Sequence, residues 1–585
     1  MTAEGSPDFG EEATVVSILD LPEGSPDFGE EATVVSILEF QLKPHREVID
    51  AALCATRAGD AGALLESPVL AALKAVRELS FPDYARIRQQ IKALKTVPLI
   101  MLEEQFIGGK CSPPPETTAD RLVSLVEDGS ELFHDKSRVP FISFEHDSHR
   151  ETWALRSSGF AEWLGAEYYK EEAVAPCEQS IKTAVLTLSG KAIFAGPEEH
   201  VWLRVAKHED RYYLDLCNDK WQAVEISADG WQVVDRPPVR FRRGKSMQPL
   251  PIPENAGEDG LSRLWDFVNI QEEDRPFLVA ALLEMLRPET DFVILELIGE
   301  QGSGKSDTQE RIRDLIDPSV VGLRAAPKER EHVFVGAWNN WIVSYNNLSR
   351  LAPELQDSLC TLATGGGFAA RTLYSDADET VIEAKRPLLL NGISGLVTAQ
   401  DLIDRTLRFD LPEIPEEQRR AKSEMLADFE AARPAILGGL LDLFVATLRE
   451  LPNVKIDRLP RMADFAFLGE AMFRAAGSEQ SFTGLYRERR ASAALAGLDS
   501  SPVASAVLTY LSSQTGFRGY EGTIKKLMEV LSPFKHDGDG WPKSAKGLAD
   551  ALRRFAPALR LSGITVKFEG HQRDGHHVTI KRELF

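Results

Sequence analysis

Apolar positions along this chain change their spacing several times. From about residue 44 to 106 they recur at helical intervals, as in Val48, Ile49, Ala52 and Leu53, and again in Ile87, Ile91 and Leu94. The proline run Pro113-Pro114-Pro115 marks a boundary. The period then shortens to two. Val201 to Val205 and Tyr212 to Leu216 flank a short charged turn, and Val224 to Ile226 and Trp231 to Val234 flank Ala228-Asp229-Gly230. These segments predict an antiparallel meander with a helix over 160–171 packed on it. A second Pro-rich stretch, Pro249 to Pro253, precedes mixed strand and helix patterning that runs to about Leu411, and helical spacing returns over 416–451. The last segment predicts a helix (545–559), a strand (564–568), a turn and a strand (577–581). That order is the end of a winged helix.

One apolar strand, Phe292 to Ile298, runs straight into Gly299-Glu300-Gln301-Gly302-Ser303-Gly304-Lys305-Ser306. A helix pattern follows, with Ile312, Leu315 and Ile316 on one face. Strand, glycine loop and helix start form the context of a nucleotide P-loop, because backbone N–H groups at the helix N-terminus bind phosphate oxygens. Gly299, Gly302 and Gly304 allow turn conformations that a side chain would block. Ser303 lies within the cradle. Lys305 is expected to neutralise the β- and γ-phosphates of ATP, and Ser306 to offer its hydroxyl to Mg²⁺.

Composition narrows the setting. A chain of 585 residues is long enough for three to five domains. No apolar run reaches the roughly 18 residues of a membrane span, and the first residues lack the pattern of a signal peptide, so a cytoplasmic address is expected. Cys54, Cys111, Cys177, Cys217 and Cys360 are scattered and odd in number, which gives neither a disulfide frame nor a zinc site. The net charge of −23 excludes a surface that binds nucleic acid everywhere. From Lys535 to Phe585 the balance reverses, with ten Lys/Arg against six Asp/Glu. Lys543, Lys546, Arg553 and Arg554, with Arg573 on the predicted wing, are therefore candidates for DNA contact; a solvated basic helix is the alternative. Glu4 to Leu19 recurs unchanged as Glu23 to Leu38. Two copies are too few for a solenoid, so this reads as a tandem duplication in a mobile tail, or as a partner-binding peptide present twice.

Further segments carry a family resemblance: LIDPS (Leu315 to Ser319), LCTLATGGGFAARTLY (Leu359 to Tyr374), RPLLLNGI (Arg386 to Ile393) and DLIDRTLRFDL (Asp401 to Leu411), extended by RMADFAF (Arg461 to Phe467) and WPKSAKGL (Trp541 to Leu548). Together with the P-loop, these resemble the ATPases of phage and prophage primase–helicase proteins, related to superfamily 3 helicases and AAA+ folds. The resemblance runs from about residue 130 to the C-terminus. It implies that Asn391 ends a strand lying between the phosphate strand and the acidic strand, where it orients the attacking water; a turn residue after a strand is the alternative. It implies that Arg405 acts as an arginine finger in the next subunit of a homo-oligomeric ring, against an Arg–Asp pair within one helix. At position 346 the family is expected to carry an Asp. This chain has Asn346, which lends no charge to a metal that prefers carboxylate oxygen. The hairpin expected over 372–387 has Asp376, Asp378 and Glu379 near its tip, with only Lys385 and Arg386 basic, both at its base.

The expected fold is multidomain α/β: a tail (1–43), a helical region (44–130), an α+β meander domain (131–247), an AAA+-like P-loop core (248–412), a helical lid (413–500) and a winged-helix-like domain (501–585). The expected function is an ATP-dependent, oligomeric, helicase-like DNA motor of a mobile genetic element. The alternative is an ATP-binding assembly or regulatory module that hydrolyses poorly and recruits DNA or a protein partner.

Overall fold

A computed structural model describes residues 30–585, apart from 95–97, 106–115, 372–378, 515–518, 536–540, 583–585 and a few single or paired positions, Arg573 among them. Asp376, Asp378, Cys111 and the first copy of the duplication therefore lie outside the described residues. The chain divides into two compact units, Met1–Thr117 and Thr118–Phe585.

The first unit is helical. Its opening helix, Glu30–Arg57, starts inside the second copy of the duplicated segment and continues through Pro44. The tail expected over 1–43 is thus helical from Glu30 onward. A proline inside a helix costs about 3 kcal/mol. Burial of Leu42, Ile49, Ala52 and Leu53 on one face offsets it, against Leu73, Val76 and Tyr84 of the helices Ser67–Leu79 and Phe81–Leu94.

The second unit opens with a layer that the periodicity did not reveal. Strands β1 (Ser130–His134), β2 (Pro140–His146) and β3 (His149–Ala154) form an antiparallel sheet in that order. Phe160 and Leu164 of the helix Ser158–Glu172 pack with Ile142 of this sheet, with Leu122 and Val126 of the helix Thr118–Glu127, and with Leu188. The helix expected on the meander therefore belongs to a different layer. The stretch from 118 also belongs here and not to the N-terminal helices.

The predicted strand over 201–205 is broken. β4 (Val201–Trp202) pairs in parallel with β9 (Arg240–Phe241), while Arg204 takes a left-handed φ of 63° before β5 begins. β5 (Val205–His208), β6 (Arg211–Asp215), β7 (Ala223–Ser227) and β8 (Gly230–Val234) then form a four-stranded antiparallel meander. The meander has no core of its own on its inner face. Tyr212, Leu214, Val224 and Ile226 join one cluster with Leu295, Leu297, Phe409 and the long helix Lys422–Glu450. The Tyr212 and Phe444 rings lie 5.3 Å apart, and Trp231 Nε1 donates to Asp442 at 2.7 Å.

At the centre lies a parallel sheet of β10 (Ile294–Ile298), β11 (Val343–Leu348), β14 (Leu388–Gly392) and β15 (Thr406–Asp410), in the order β11-β14-β10-β15. Both faces are covered, as parallel sheets require. Leu295 and Leu297 face the meander and the long helix, whereas Ile294 and Ile298 face Val333, Phe334 and Leu359. A hairpin of β12 (Gly366–Arg371) and β13 (Glu379–Ala384) projects between β11 and β14 in sequence. One described helix, Lys422–Asn453, is long and apolar enough by composition to cross a membrane, a pattern the sequence reading passed over; 67% of its apolar window is buried inside the protein, as in a core helix.

The C-terminal lobe has a separate core from Leu498 to Ile580. The helix Pro502–Ser513, β16 (Gly519–Thr523), the helices Ile524–Leu531 and Ala545–Leu561, β17 (Ile564–Gln572) and β18 (Gly575–Arg582) follow one another, with the sheet ordered β16-β18-β17. Ser544 caps the helix Ala545–Leu561 by accepting from the Gly547 amide at 3.2 Å.

Candidate nucleotide site and basic lobe

The glycine loop leaves β10 and enters the helix Lys305–Asp314. Gly302 and Gly304 have φ of 93° and 70°, where any side chain would be strained. Gly299 is required by space: a Cβ there would lie 2.6 Å from Ser303 Oγ and 2.9 Å from Leu411 O. The glycines thus let neighbouring groups approach the loop backbone closely, and the loop runs into the N-terminus of a helix, a setting that fits a phosphate chain. Lys305 is folded onto the loop, its ammonium donating to Gly299 O at 2.8 Å and Glu300 O at 2.6 Å. Burial pushes its pKa down.

Beneath the loop runs a chain of amides whose orientations follow from backbone acceptors. Gln309 is fully buried, and its Nε2 donates to Ser344 Oγ (2.8 Å), Tyr345 O (3.0 Å) and Leu389 O (3.1 Å). Its Oε1 must therefore accept, and it does so from Asn391 Nδ2. Asn391 Nδ2 also donates to Asn346 Oδ1 at 2.7 Å, while Asn391 Oδ1 accepts from the Asn347 amide at 2.6 Å. Asn346 consequently presents its oxygen, which accepts from Ser306 Oγ at 2.9 Å. The strand order makes this possible, because β14 lies between β10 and β11. Lys305, Ser306, Asn346 and Asn391 thus belong to one continuous site. Ser306 Oγ and the Asn346 oxygen are the atoms that could face a Mg²⁺ ion there, and they offer it no negative charge.

Comparison with known families decides the lineage. Residues 258–492 match the actinomycete integrative conjugative element replication protein, and residues 503–584 match the C-terminal domain of the same protein. Together the two take in more than half of the chain. It belongs to this replication-protein family. Among solved structures, the chain is similar to the C-terminal region of NrS-1 (12% identity, 79% of this chain and 98% of that one, TM-score 0.36). It is also similar to SCCmec type IV Cch, described as an active helicase (10% identity, 77% and 92%, TM-score 0.42). Overlaps this loose carry no argument. No curated protein matches the chain.

In this replication protein Arg405 does not stand free as a finger. Its NH1 pairs with Asp401 Oδ2 at 2.7 Å, four residues away, and the side chain is only 13% exposed. Arg461 closes on the same Asp401. Within one chain, Arg405 is therefore held in an ion pair with Asp401. Lys385 is likewise engaged at the hairpin base, donating to Glu289 O at 2.6 Å, and burial lowers its pKa. Arg386 beside it is half-buried, donating to Ala337 O at 3.0 Å and lying over the Trp341 ring. Both side chains are thus engaged within the chain.

The basic residues of the C-terminal lobe are placed differently. Lys543, Lys546, Arg553 and Arg554 are exposed. The last three project from Ala545–Leu561, on the side opposite the buried Leu548, Leu552 and Leu559. Arg553 pairs with Asp550 at 2.9 Å and covers the Phe568 ring.

Two site residues escaped the sequence reading. Gln309 lies three positions after Ser306, one of several polar residues that this helix buries, so the local pattern does not single it out. Asn269 donates from Nδ2 to Ser303 O at 2.9 Å and Pro412 O at 2.7 Å, tying the loop to the segment after β15. Nothing in the local pattern marks it.

Proposed function

We propose that this replication protein is an ATP-dependent, oligomeric, helicase-like DNA motor that acts in the cytoplasm on the element's own DNA. The observation that carries the reading is the hydrogen-bonded line Ser306–Asn346–Asn391 directly under the glycine cradle. ATP would displace Lys305 from the loop carbonyls it now occupies, and the ammonium would then neutralise phosphate. Asn391, fixed by Gln309 and the Asn347 amide, would have to release Asn346 before its amide could orient water. The basic face of Ala545–Leu561 supplies a helix suited to a DNA groove. Ring assembly would bring a cation to the neighbour's nucleotide, and for Arg405 that requires release from Asp401.

A second reading has its own observation. Asn346 faces Ser306 with a neutral oxygen, so the site suits nucleotide binding better than hydrolysis. Under this reading the protein is an ATP-binding assembly module whose C-terminal lobe recruits DNA or a protein. Steady-state ATP turnover, with and without single-stranded DNA, separates the two. DNA-stimulated turnover that Lys305→Ala abolishes supports the motor. Turnover appearing only in Asn346→Asp supports the module, and silence in both while ATP still binds removes the motor reading.

A further inference from the structure

The segment that leaves β15 turns back along the nucleotide loop. Leu411 O approaches Gly299, and a Cβ on Gly304 would lie 2.9 Å from Ile414 Cδ1. Farther along, a Cβ on Gly302 would lie 3.2 Å from NH2 of Arg419 and 3.8 Å from its Cζ. Residues 411–419 therefore form a strap over the cradle, with a guanidinium set against the loop's own backbone.

That guanidinium is oriented but not saturated. Its Nε donates to Ile414 O at 3.1 Å, within the strap. Its two outer nitrogens face Glu413 and Glu416, each at 3.7 Å, too long for hydrogen bonds. The neighbouring Arg420 is engaged elsewhere, with Glu424 at 3.0 Å and with Asp428 on the long helix. A nucleoside triphosphate brings about four negative charges to a loop where Lys305 is the one cation of the motif. A second cation already held beside Gly302, with its outer nitrogens spare, suits bidentate contact with phosphate oxygens.

We propose that Arg419 is a phosphate-binding residue acting in cis, contacting the polyphosphate of the nucleotide held by its own chain. The proposal rests on the P-loop reading and extends it. Glu413 and Glu416 hold the guanidinium loosely until phosphate takes it. The strap then closes the cradle on the side of Gly302 and Gly304, so nucleotide exchange requires the strap to lift.

The test is calorimetric titration of Mg²⁺-ATP into the full-length protein and into Arg419→Ala, Arg419→Lys, Arg420→Ala and Lys305→Ala. Arg419→Ala is expected to weaken binding about tenfold or more, the scale of a charge-assisted hydrogen bond. Arg419→Lys should recover part of the loss, and Arg420→Ala should bind as the parent does. Unliganded melting of Arg419→Ala should match the parent, which separates lost contact from lost fold. If Arg419→Ala binds ATP like the parent while Lys305→Ala does not, the cis role is wrong and the P-loop reading stands. If the parent itself binds no ATP, both are wrong.

Discussion

Arg204 and Asp317 form an ion pair at 3.1 Å with both side chains essentially inaccessible to water. The same guanidinium donates to Asp215 O and Gln248 O, and the other Asp317 oxygen accepts from the Ile342 amide at 2.9 Å. Asp317 thus joins the meander, the end of the P-loop helix and the start of β11. Removing one partner strands a buried charge, at a cost of about 3–5 kcal/mol. Arg204→Met and Asp317→Asn should each lower the urea midpoint accordingly, and the double variant Arg204→Met/Asp317→Asn should lose less than the sum. Additive losses would show that the two charges are not coupled.

Gln309 fixes the amide chain through three acceptors on two strands. Gln309→Leu conserves volume but leaves Ser344 Oγ, Tyr345 O and Leu389 O without their donor, which costs about 1–3 kcal/mol. It also frees Asn391 to rotate. Reduced stability together with weaker ATP binding is expected from chemical denaturation and titration; unchanged values for both would mean that the orientations are set elsewhere.

Asn346→Asp should be accommodated without rearrangement, because one carboxylate oxygen can accept the bonds from Ser306 and Asn391 that Oδ1 accepts now. The added charge acts on the metal. The variant should therefore bind ATP with a steeper dependence on Mg²⁺ than the parent, read by titration across metal concentrations. Equal metal dependence would place the ion away from position 346.

Glu284 is fully buried, and burial raises its pKa well above the ordinary 4.5, only partly countered by Arg287. The folded protein therefore holds a proton that the unfolded chain releases. Its contribution falls as pH rises above 4.5 and keeps falling up to the raised folded value. Glu284→Gln should flatten this part of the stability–pH curve and stabilise the protein on its alkaline side. A parent and variant with parallel curves would show that Glu284 does not titrate this way.

Charge reversal at Lys546 and Arg554 tests the C-terminal lobe. The double variant to Glu should weaken DNA binding in fluorescence anisotropy and reduce the slope against log salt by about two. Parallel salt slopes would exclude these side chains from phosphate contact.

The P-loop was legible because its glycines encode local conformations: φ at Gly302 and Gly304 is a property of the chain itself. The last helix and hairpin were legible for a similar reason, since Ser544 caps the helix and the alternation is regular. What escaped depends on distant partners. β1 and β3 are short and largely polar, so only pairing with β2 makes them strands. The break at Arg204 follows from the buried ion pair with Asp317, more than a hundred residues away. Arg405 lies in the turn between a short helix and β15, and which carboxylate holds it is a tertiary fact. The helix through Pro44 defied a local rule because burial on one face outweighed it.

The separate core of the C-terminal lobe bears on inheritance. Its apolar cluster begins at Leu498, and the two family matches part between residues 492 and 503. The meander, by contrast, shares its core with the P-loop sheet and the long helix. Recombination between related elements in the stretch from 492 to Leu498 can therefore exchange one lobe and leave the other's interior untouched. A crossover inside residues 201–234 would have to match side chains across three layers at once.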